Sequence, residues 1–428
     1  MKKHAVIQNT LWLIGGRFVR MVISMMLGML TARYLGPSDY GLLNHAAAYT
    51  GFFCSVCNLG LDGVLTRELT DAPEKSGEIL GTALVLRGIS SILSSVAILC
   101  IVSVVDRHDT VMKMTVLLLS LGMVAQTVDF LQYWFQSRLQ SGVTMKVMLA
   151  SSVVVAGYKL YLLCSGKPVL WFASSSVLEQ LLTAKLLFSS YRRSGGSKLK
   201  FSREMAGALF RKSCHFILPG LMVAIYAQTD KIMLGHMIGE TEIGYYTAAG
   251  SICNAWCFVL TAVIESLYPQ IIRVYRQASA VFDRRNRQLY SIVFYISLAV
   301  SVLLCLGAKP LVRFLYGDAY IPAAKVLCIL TWHTGFSYLG VARNPWMVCK
   351  NKQQYLLWCY ASAAVGNVTL NFLLVPWFGA AGAAVASLAA QVITTMVVPF
   401  LIPQLRENGK LMLEAMALCG IFSKRDGG

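Results

Sequence analysis

Residues 13–30 read LIGGRFVRMVISMMLGML, and the fold turns on how this stretch is read. The apolar run around it extends from about Thr10 to Tyr34, long enough to cross a bilayer as a helix. Two arginines three residues apart, Arg17 and Arg20, stand inside it. At about 1.5 Å per residue, Arg20 lies about 15 Å into the span, near its middle. A charge at that depth costs at least about 2.5–3.5 kcal/mol on insertion scales, and such residues face a protein interior or water rather than lipid. Positions 17, 20, 24 and 31 share one helical face, so Arg17, Arg20, Ser24 and Thr31 form a polar stripe. Two readings follow. One is a structural ion pair with a neighbouring acid such as Asp230. The other, which we favour, is a water-filled cavity with a positive wall. Arginine suits phosphate there, because its donor fork is planar and permanently charged.

Composition agrees with a membrane setting. The 428 residues are 56% hydrophobic and 14% charged, with mean hydropathy +0.60, which is too apolar for a soluble surface. A net charge of +18 would suit nucleic acid if it formed one patch. It is instead spread over short segments between apolar runs, so no nucleic-acid partner is expected. The twelve cysteines sit mostly inside those runs and read as small hydrophobes rather than a disulfide framework or metal site.

Apolar runs of spanning length predict twelve transmembrane helices, at about 10–34, 40–63, 79–105, 111–135, 143–164, 168–190, 214–237, 244–268, 288–308, 320–342, 352–375 and 378–402. The fold class is therefore all-α integral membrane. Of the 38 lysines and arginines, 25 fall on the side that holds the N-terminus and six on the other, which predicts cytoplasmic termini. The basic segment YRRSGGSKLKFSREMAGALFRKS, 191–213, has six runs on each side. It predicts an N-terminal six-helix lobe (1–190), a cytoplasmic linker (191–213), a C-terminal six-helix lobe (214–402) and a cytoplasmic tail (403–428), in which LMLEAMALCGIF is too short to span.

A repeat crosses that segment. LGPSDYGLL (35–43) and IGETEIGYY (238–246) share a G-x4-G frame, Gly36/Gly41 and Gly239/Gly244, at an offset of 203 positions. The same offset carries Asp62 onto Glu265 and Gly16 onto Pro219. An even number of spans per half predicts two parallel repeats around a central cavity. Gly15-Gly16 and Pro219-Gly220 are expected to interrupt corresponding helices near the site.

Further lining candidates lie on polar stripes. The fourth run carries Gln126, Asp129 and Tyr133; the eighth carries Thr247, Ser251, Asn254, Thr261 and Glu265; the eleventh carries Asn367 and Asn371. Gln228, Asp230 and Lys231 follow Pro219-Gly220 in the seventh, and Arg87 sits eight residues into the third. Neutral amides and hydroxyls of this kind either bond sugar hydroxyls or join helix to helix. Asp62, Asp230 and Glu265 are the candidate ion-coupling carboxylates. Trp134, Trp171 and Trp377 read as interfacial residues. No catalytic constellation, phosphate-cradling glycine loop or cofactor motif is evident, so a transporter is expected rather than an enzyme.

The stretches TARYLGPSDYGLLNHAAAYTGFFCSVCNLGLDGVLTREL (31–69) and YAQTDKIMLGHMIGETEIGYYTAAGSI (226–252) resemble the bacterial polysaccharide-biosynthesis transporters. These are the O-antigen and capsule-repeat flippases of the multidrug/oligosaccharidyl-lipid/polysaccharide exporter superfamily. The resemblance implies two six-helix lobes around a cationic cavity in the bacterial cytoplasmic membrane. It implies alternating access that moves undecaprenyl-pyrophosphate-linked oligosaccharide to the outer leaflet, with Arg17 and Arg20 among the cavity arginines. Glycan polymerases and glycosyltransferases would be its partners. The rival expectations are a cation-coupled multidrug exporter of the same superfamily and a membrane glycan polymerase.

Overall fold

The computed structural model describes residues 2–106, 109–275 and 279–417, with side chains from residue 15 onward outside 279–280. The described residues are helical and contain no strand. Eight helices or helix pairs among them are long and apolar enough to cross a membrane, so the chain is a multi-pass membrane protein. Two expected spans, the sixth and tenth, are helical but not among those eight. Two of the eight, Gly15–Asp71 of 57 residues and Gln353–Leu401 of 49, exceed twice the length of about 20 residues that a bilayer requires.

The first of these long elements contains α1 (Lys2–Cys57), which breaks at Gly36 (φ 75°, ψ 174°), a conformation reserved for glycine. The frame-related Gly239 also has positive φ, 132°, and Gly41 and Gly244 are both buried. In both G-x4-G frames the first glycine has a positive φ and the second is buried. Helix α14 (Leu356–Val392) likewise breaks at Gly379, where the backbone N–H of Ala380 donates to Glu242 Oε2 (2.6 Å).

The expected interruption at Gly15-Gly16 is absent: α1 stays helical there. Gly16 is buried, and a Cβ on it would lie 2.7 Å from Met145 Cε, so this glycine serves close packing of α1 on α6 (Ser141–Cys164) rather than bending. Helix α8 (Arg203–Met237) also continues through Pro219, whose missing N–H costs one helical bond without ending the helix.

The chain forms two compact units, residues 1–228 and 229–428, so the division falls inside α8 and not in the basic segment. Unit 1 also contains α2 (Asp62–Asp71), α3 (Ser76–Val105), α4 (Thr110–Ala125), α5 (Leu131–Ser137) and α7 (Val169–Arg193). Its core includes Leu61, Leu80, Phe130, Trp134 and Tyr191. Trp134 is not interfacial: it is 1% exposed, edge-on to Tyr191 and capped by the Arg138 guanidinium 4.1 Å from its ring. Trp171 and Trp377 are exposed. Much of segment 191–213 is ordered. Tyr191 donates to Ser197 O (2.7 Å) and Lys200 N to Gly77 O (3.1 Å), while 203–213 is the first part of α8. A Cβ on Gly77 or Gly81 would collide with the Lys198 or Lys200 backbone, so α3 needs both glycines to seat this link.

Unit 2 contains α9 (Glu240–Tyr275), α10 (Ser279–Leu306), α11 (Ala308–Tyr316), α12 (Ala323–Ala342), α13 (Asn344–Cys349), α14, α15 (Val398–Leu401) and α16 (Arg406–Met416). Within it α12 packs on α9, α10 and α14. Helix α16 docks on α10: Met412 and Ala415 are fully buried, and Asn408 donates to Tyr290 OH (2.7 Å). Arg287–Glu414 and Lys350–Glu407 ion pairs, each 3.0 Å, flank the seam. Lys350 has its pKa raised: burial opposes its charge, but the Glu407 carboxylate outweighs that. Residues 418–428 of the expected tail lie outside the described residues.

Candidate functional site

Some of the predicted residues fall in two clusters of different chemistry, one in each unit, and others lie apart. In unit 1, Arg20 extends from α1 and donates through Nη2 to Glu179 Oε1 of α7 at 3.0 Å. Its Nη1 lies 3.6 Å from Met148 Sδ, and Ser152 Oγ donates to the same Glu179 oxygen (3.2 Å). The pair is not enclosed by protein: 39% of the Arg20 side chain and 23% of that of Glu179 remain accessible. The partner is thus Glu179, and not Asp230. Arg17, one turn before Arg20, is exposed and makes no ion pair among the described residues, and Ser24, one turn beyond, is exposed too.

Asp129 lies within electrostatic reach of Arg20, Arg87 and Glu179. Arg87, 4% exposed, stacks 4.2 Å from the centre of the Phe130 ring. Arg87 Nε and Asp129 Oδ1 are both buried without a hydrogen bond. The stripe expected on one regular α-helix is divided: Gln126 and Asp129 stand on a 3-10 turn, Gln126–Phe130, between α4 and α5, and Tyr133 stands on α5. Three residues apart on a 3-10 turn, Gln126 and Asp129 share one face, while Tyr133 starts from a different helix. Gln126 accepts from Cys54 Sγ (3.3 Å), while Tyr133 donates to Asp62 Oδ1 (2.9 Å). Asp62 also accepts from Asn58 (2.9 Å) and is exposed, apart from the Arg20 group. Gln228 packs beside Gly51, where a Cβ would meet its Nε2 at 3.0 Å.

In unit 2, Asp230 is 3% exposed and surrounded by neutral donors. Asn367 and Asn371, one turn apart on α14, donate to Oδ1 at 2.9 and 2.7 Å. Tyr246 from α9 and Ser387 from the second half of α14 donate to Oδ2. A second bond from Asn367 to Ser387 Oγ (3.0 Å) closes the ring. The carboxylate therefore has its hydrogen bonds satisfied by groups that leave its charge in place. The buried Asn367 Oδ1 and Asn371 Oδ1 have no partners, so further oxygen acceptors are grouped around it. Lys231, half-buried beside Asp230 in sequence, stands outside this ring, and Asn254 and Glu265 are exposed on α9. Ser251 and Thr261 bond carbonyls of their own helix, at Thr247 and Cys257.

Sequence reasoning missed Glu179, Ser152, Tyr246 and Ser387. Glu179 had a signal: it is the sole acid in its apolar run, 168–190, and a mid-membrane arginine needs one. Ser387, inside the small-residue stretch AAGAAVASLAAQ, had none.

The profile of the polysaccharide biosynthesis protein family matches residues 6–275, well over half of the chain. The chain belongs to that family. Within reach of this polysaccharide biosynthesis protein are two curated relatives. A glycan biosynthesis flippase of Haloferax volcanii is 22% identical over 377 residues, covering 85% of this chain and 76% of the relative. An O-antigen transporter of Escherichia coli is 25% identical over 206 residues, 46% of this chain and 47% of the relative. Among solved structures, a lipid II flippase in an inward closed conformation superposes with a TM-score of 0.73 at 14% identity, over 94% of this chain and 90% of the other. An inward-facing multidrug transporter of the MATE family reaches 0.68 at 14% identity, over 93% and 96%. At such identities these structures share the fold alone.

Proposed function

We propose that this polysaccharide biosynthesis protein is a flippase for lipid-linked oligosaccharide. It would move an undecaprenyl-pyrophosphate-linked O-antigen, capsule or exopolysaccharide repeat from the inner to the outer leaflet by alternating access. It supplies no chemical step of its own; glycosyltransferases would make the substrate and a polymerase would use the product. The single observation that carries the reading is the accessible Arg17/Arg20 wall of unit 1, in a chain with flippase relatives. Arg17 and Arg20 hold the diphosphate; Ser24, Gln126, Asp129, Gln228 and Asn254 meet the sugar; Arg87 adds positive potential from behind. Lys231 completes the lining. Asp230, held by Asn367 and Asn371, is the leading carboxylate for ion coupling, ahead of the exposed Asp62 and Glu265.

The architecture proposed is twelve spans in two parallel six-helix repeats around a central cavity, in the bacterial cytoplasmic membrane with both termini inside. The breaks at Gly36 and Gly379 support it, since each divides one long element into two spans, and the shared turn at Gly36 and Gly239 supports the repeat. Replacing Arg17 and Arg20 together by alanine should abolish surface glycan in a deletion strain at unchanged protein level, with lipid-linked repeats trapped on the inner leaflet. Unchanged glycan would reject the assignment.

The enclosed Asp230 favours one second reading, a cation-coupled multidrug exporter. A drug-susceptibility panel on the deletion strain separates the two: sensitivity to cationic drugs with intact glycan supports the exporter.

A further inference from the structure

A cavity of about 270 Å³ lies within unit 2, between the last turns of α9 and the first turns of α10. Its lining is divided by polarity. Gln270, Arg285 and Gln288 form one part; Leu267, Ile271 and Ile292 form the other. On both helices the lining extends inward from the arginine end. On α9, Leu267 is six residues before Arg273, about 9 Å along the helix axis. On α10, Ile292 is seven residues beyond Arg285, about 10 Å in the same sense. Arg285 therefore stands at the arginine end of the cavity, while Leu267 and Ile292 lie deeper along their helices, with Gln270, Ile271, Gln288 and Ser291 between them.

The charge at the polar end is unspent. Arg287 is neutralised by Glu414, but Arg285 donates to the neutral Gln288 Oε1 (3.1 Å) and makes no ion pair among the described residues. Arg273 and Arg284 beside it are exposed. A guanidinium with free donors, two amides, and an apolar slot below them match a phosphate ester carrying an acyl chain. Basic pockets between spanning helices on the cytoplasmic side have this composition where they hold anionic headgroups, and that leaflet attracts arginine by about 1 kcal/mol per charge. In the orientation proposed above this end is cytoplasmic.

We infer that the α9–α10 cavity binds the headgroup of an anionic phospholipid of the inner leaflet, with Arg285 on the phosphate and one acyl chain against Leu267, Ile271 and Ile292. The site is separate from both clusters described above and would tie α9 to α10 near the docked α16.

The test is native mass spectrometry of the delipidated full-length protein in non-ionic detergent, titrated separately with phosphatidylglycerol, phosphatidylcholine and undecaprenyl pyrophosphate. Wild type should retain phosphatidylglycerol about fivefold better than phosphatidylcholine, the weight of one arginine contact. Arg285→Gln, an exposed position, should erase that preference. Ile292→Trp, which fills the apolar part, should lower retention of both phospholipids, whereas Arg313→Gln, on α11, should change nothing. Equal retention of the two phospholipids by wild type overturns the inference. So does a preference that survives Arg285→Gln, or strong retention of undecaprenyl pyrophosphate alone. If Ile292→Trp is not monodisperse, Arg285→Gln decides.

Discussion

The Arg20 cluster of unit 1 and the Asp230 cluster of unit 2 treat a charge inside a membrane protein in opposite ways. Arg20 has a partner of opposite sign, keeps 39% of its side chain accessible, and shares its partner with a hydroxyl. Asp230 is 3% exposed, with neutral donors on both oxygens. An accessible ion pair is worth little to stability, so its partner can be exchanged for a phosphate at low cost. A buried carboxylate with satisfied hydrogen bonds but an unbalanced charge has a fixed geometry, and its energy changes most when a proton or cation arrives. In the function proposed above, the first region would trade ligands and the second would respond to a single charge.

The largest effect should come from removing the acid in unit 2. Asp230→Ala removes the acceptor that Asn367, Asn371, Tyr246 and Ser387 share; Asn367 keeps Ser387 Oγ and Asn371 keeps the Asn367 carbonyl, but each group left unpaired costs about 1–3 kcal/mol. The protein should melt many degrees lower in detergent. Asp230→Asn should keep much of the melting temperature while losing ion dependence of transport. Equal melting of wild type and Asp230→Ala would remove the contrast between the regions.

Arg20→Ala should do the reverse. Stability should change by no more than about 1 kcal/mol, because the pair is accessible and screened. Surface glycan should nevertheless fall by about tenfold or more, the weight of a lost charge-assisted phosphate contact. A large drop in melting temperature with glycan in proportion would make Arg20 a structural residue like Asp230.

Glu179→Gln sharpens the comparison further. Freed from its counter-ion, Arg20 should bind inorganic pyrophosphate several-fold more tightly by calorimetry, and added salt should weaken that binding. Unaltered affinity would mean that the carboxylate does not compete for the guanidinium.

The smallest effect is expected from Thr261→Val on α9. Its hydroxyl bonds the Cys257 carbonyl of its own helix (3.2 Å) and lies 3.3 Å from Tyr338 OH of α12, and a net hydrogen bond is worth about 1 kcal/mol. Melting should shift by a few degrees at most and glycan should be unchanged. A loss of glycan would place the α9 stripe in the transport path.

Most of the membrane helices were legible because hydropathy is a local property: each helix bonds its own backbone and reports itself by length and composition, though the sixth and tenth runs are not among those apolar enough to cross. The positive φ of Gly36 and Gly239 was legible for a similar reason, since glycine adopts such a backbone at no steric cost. Asn367 and Asn371 stood out as paired amides in an apolar run. Gly16 did not read correctly, because a glycine that admits a neighbouring methionine is written like one that bends a helix. Trp134 failed similarly: position near a span end does not reveal that Tyr191 and Phe135 enclose it.

The amino-acid sequence alone determined that this chain lives in a membrane, where its helices lie, and that one of them carries two arginines with a need for company. It could not say which company. Glu179 is 159 positions from Arg20, and Ser387 is 157 from Asp230, so those meetings depend on how separate helices pack. Tertiary structure made that choice, because a buried charge takes whichever donor or counter-charge the packed neighbours present, and no local period encodes it.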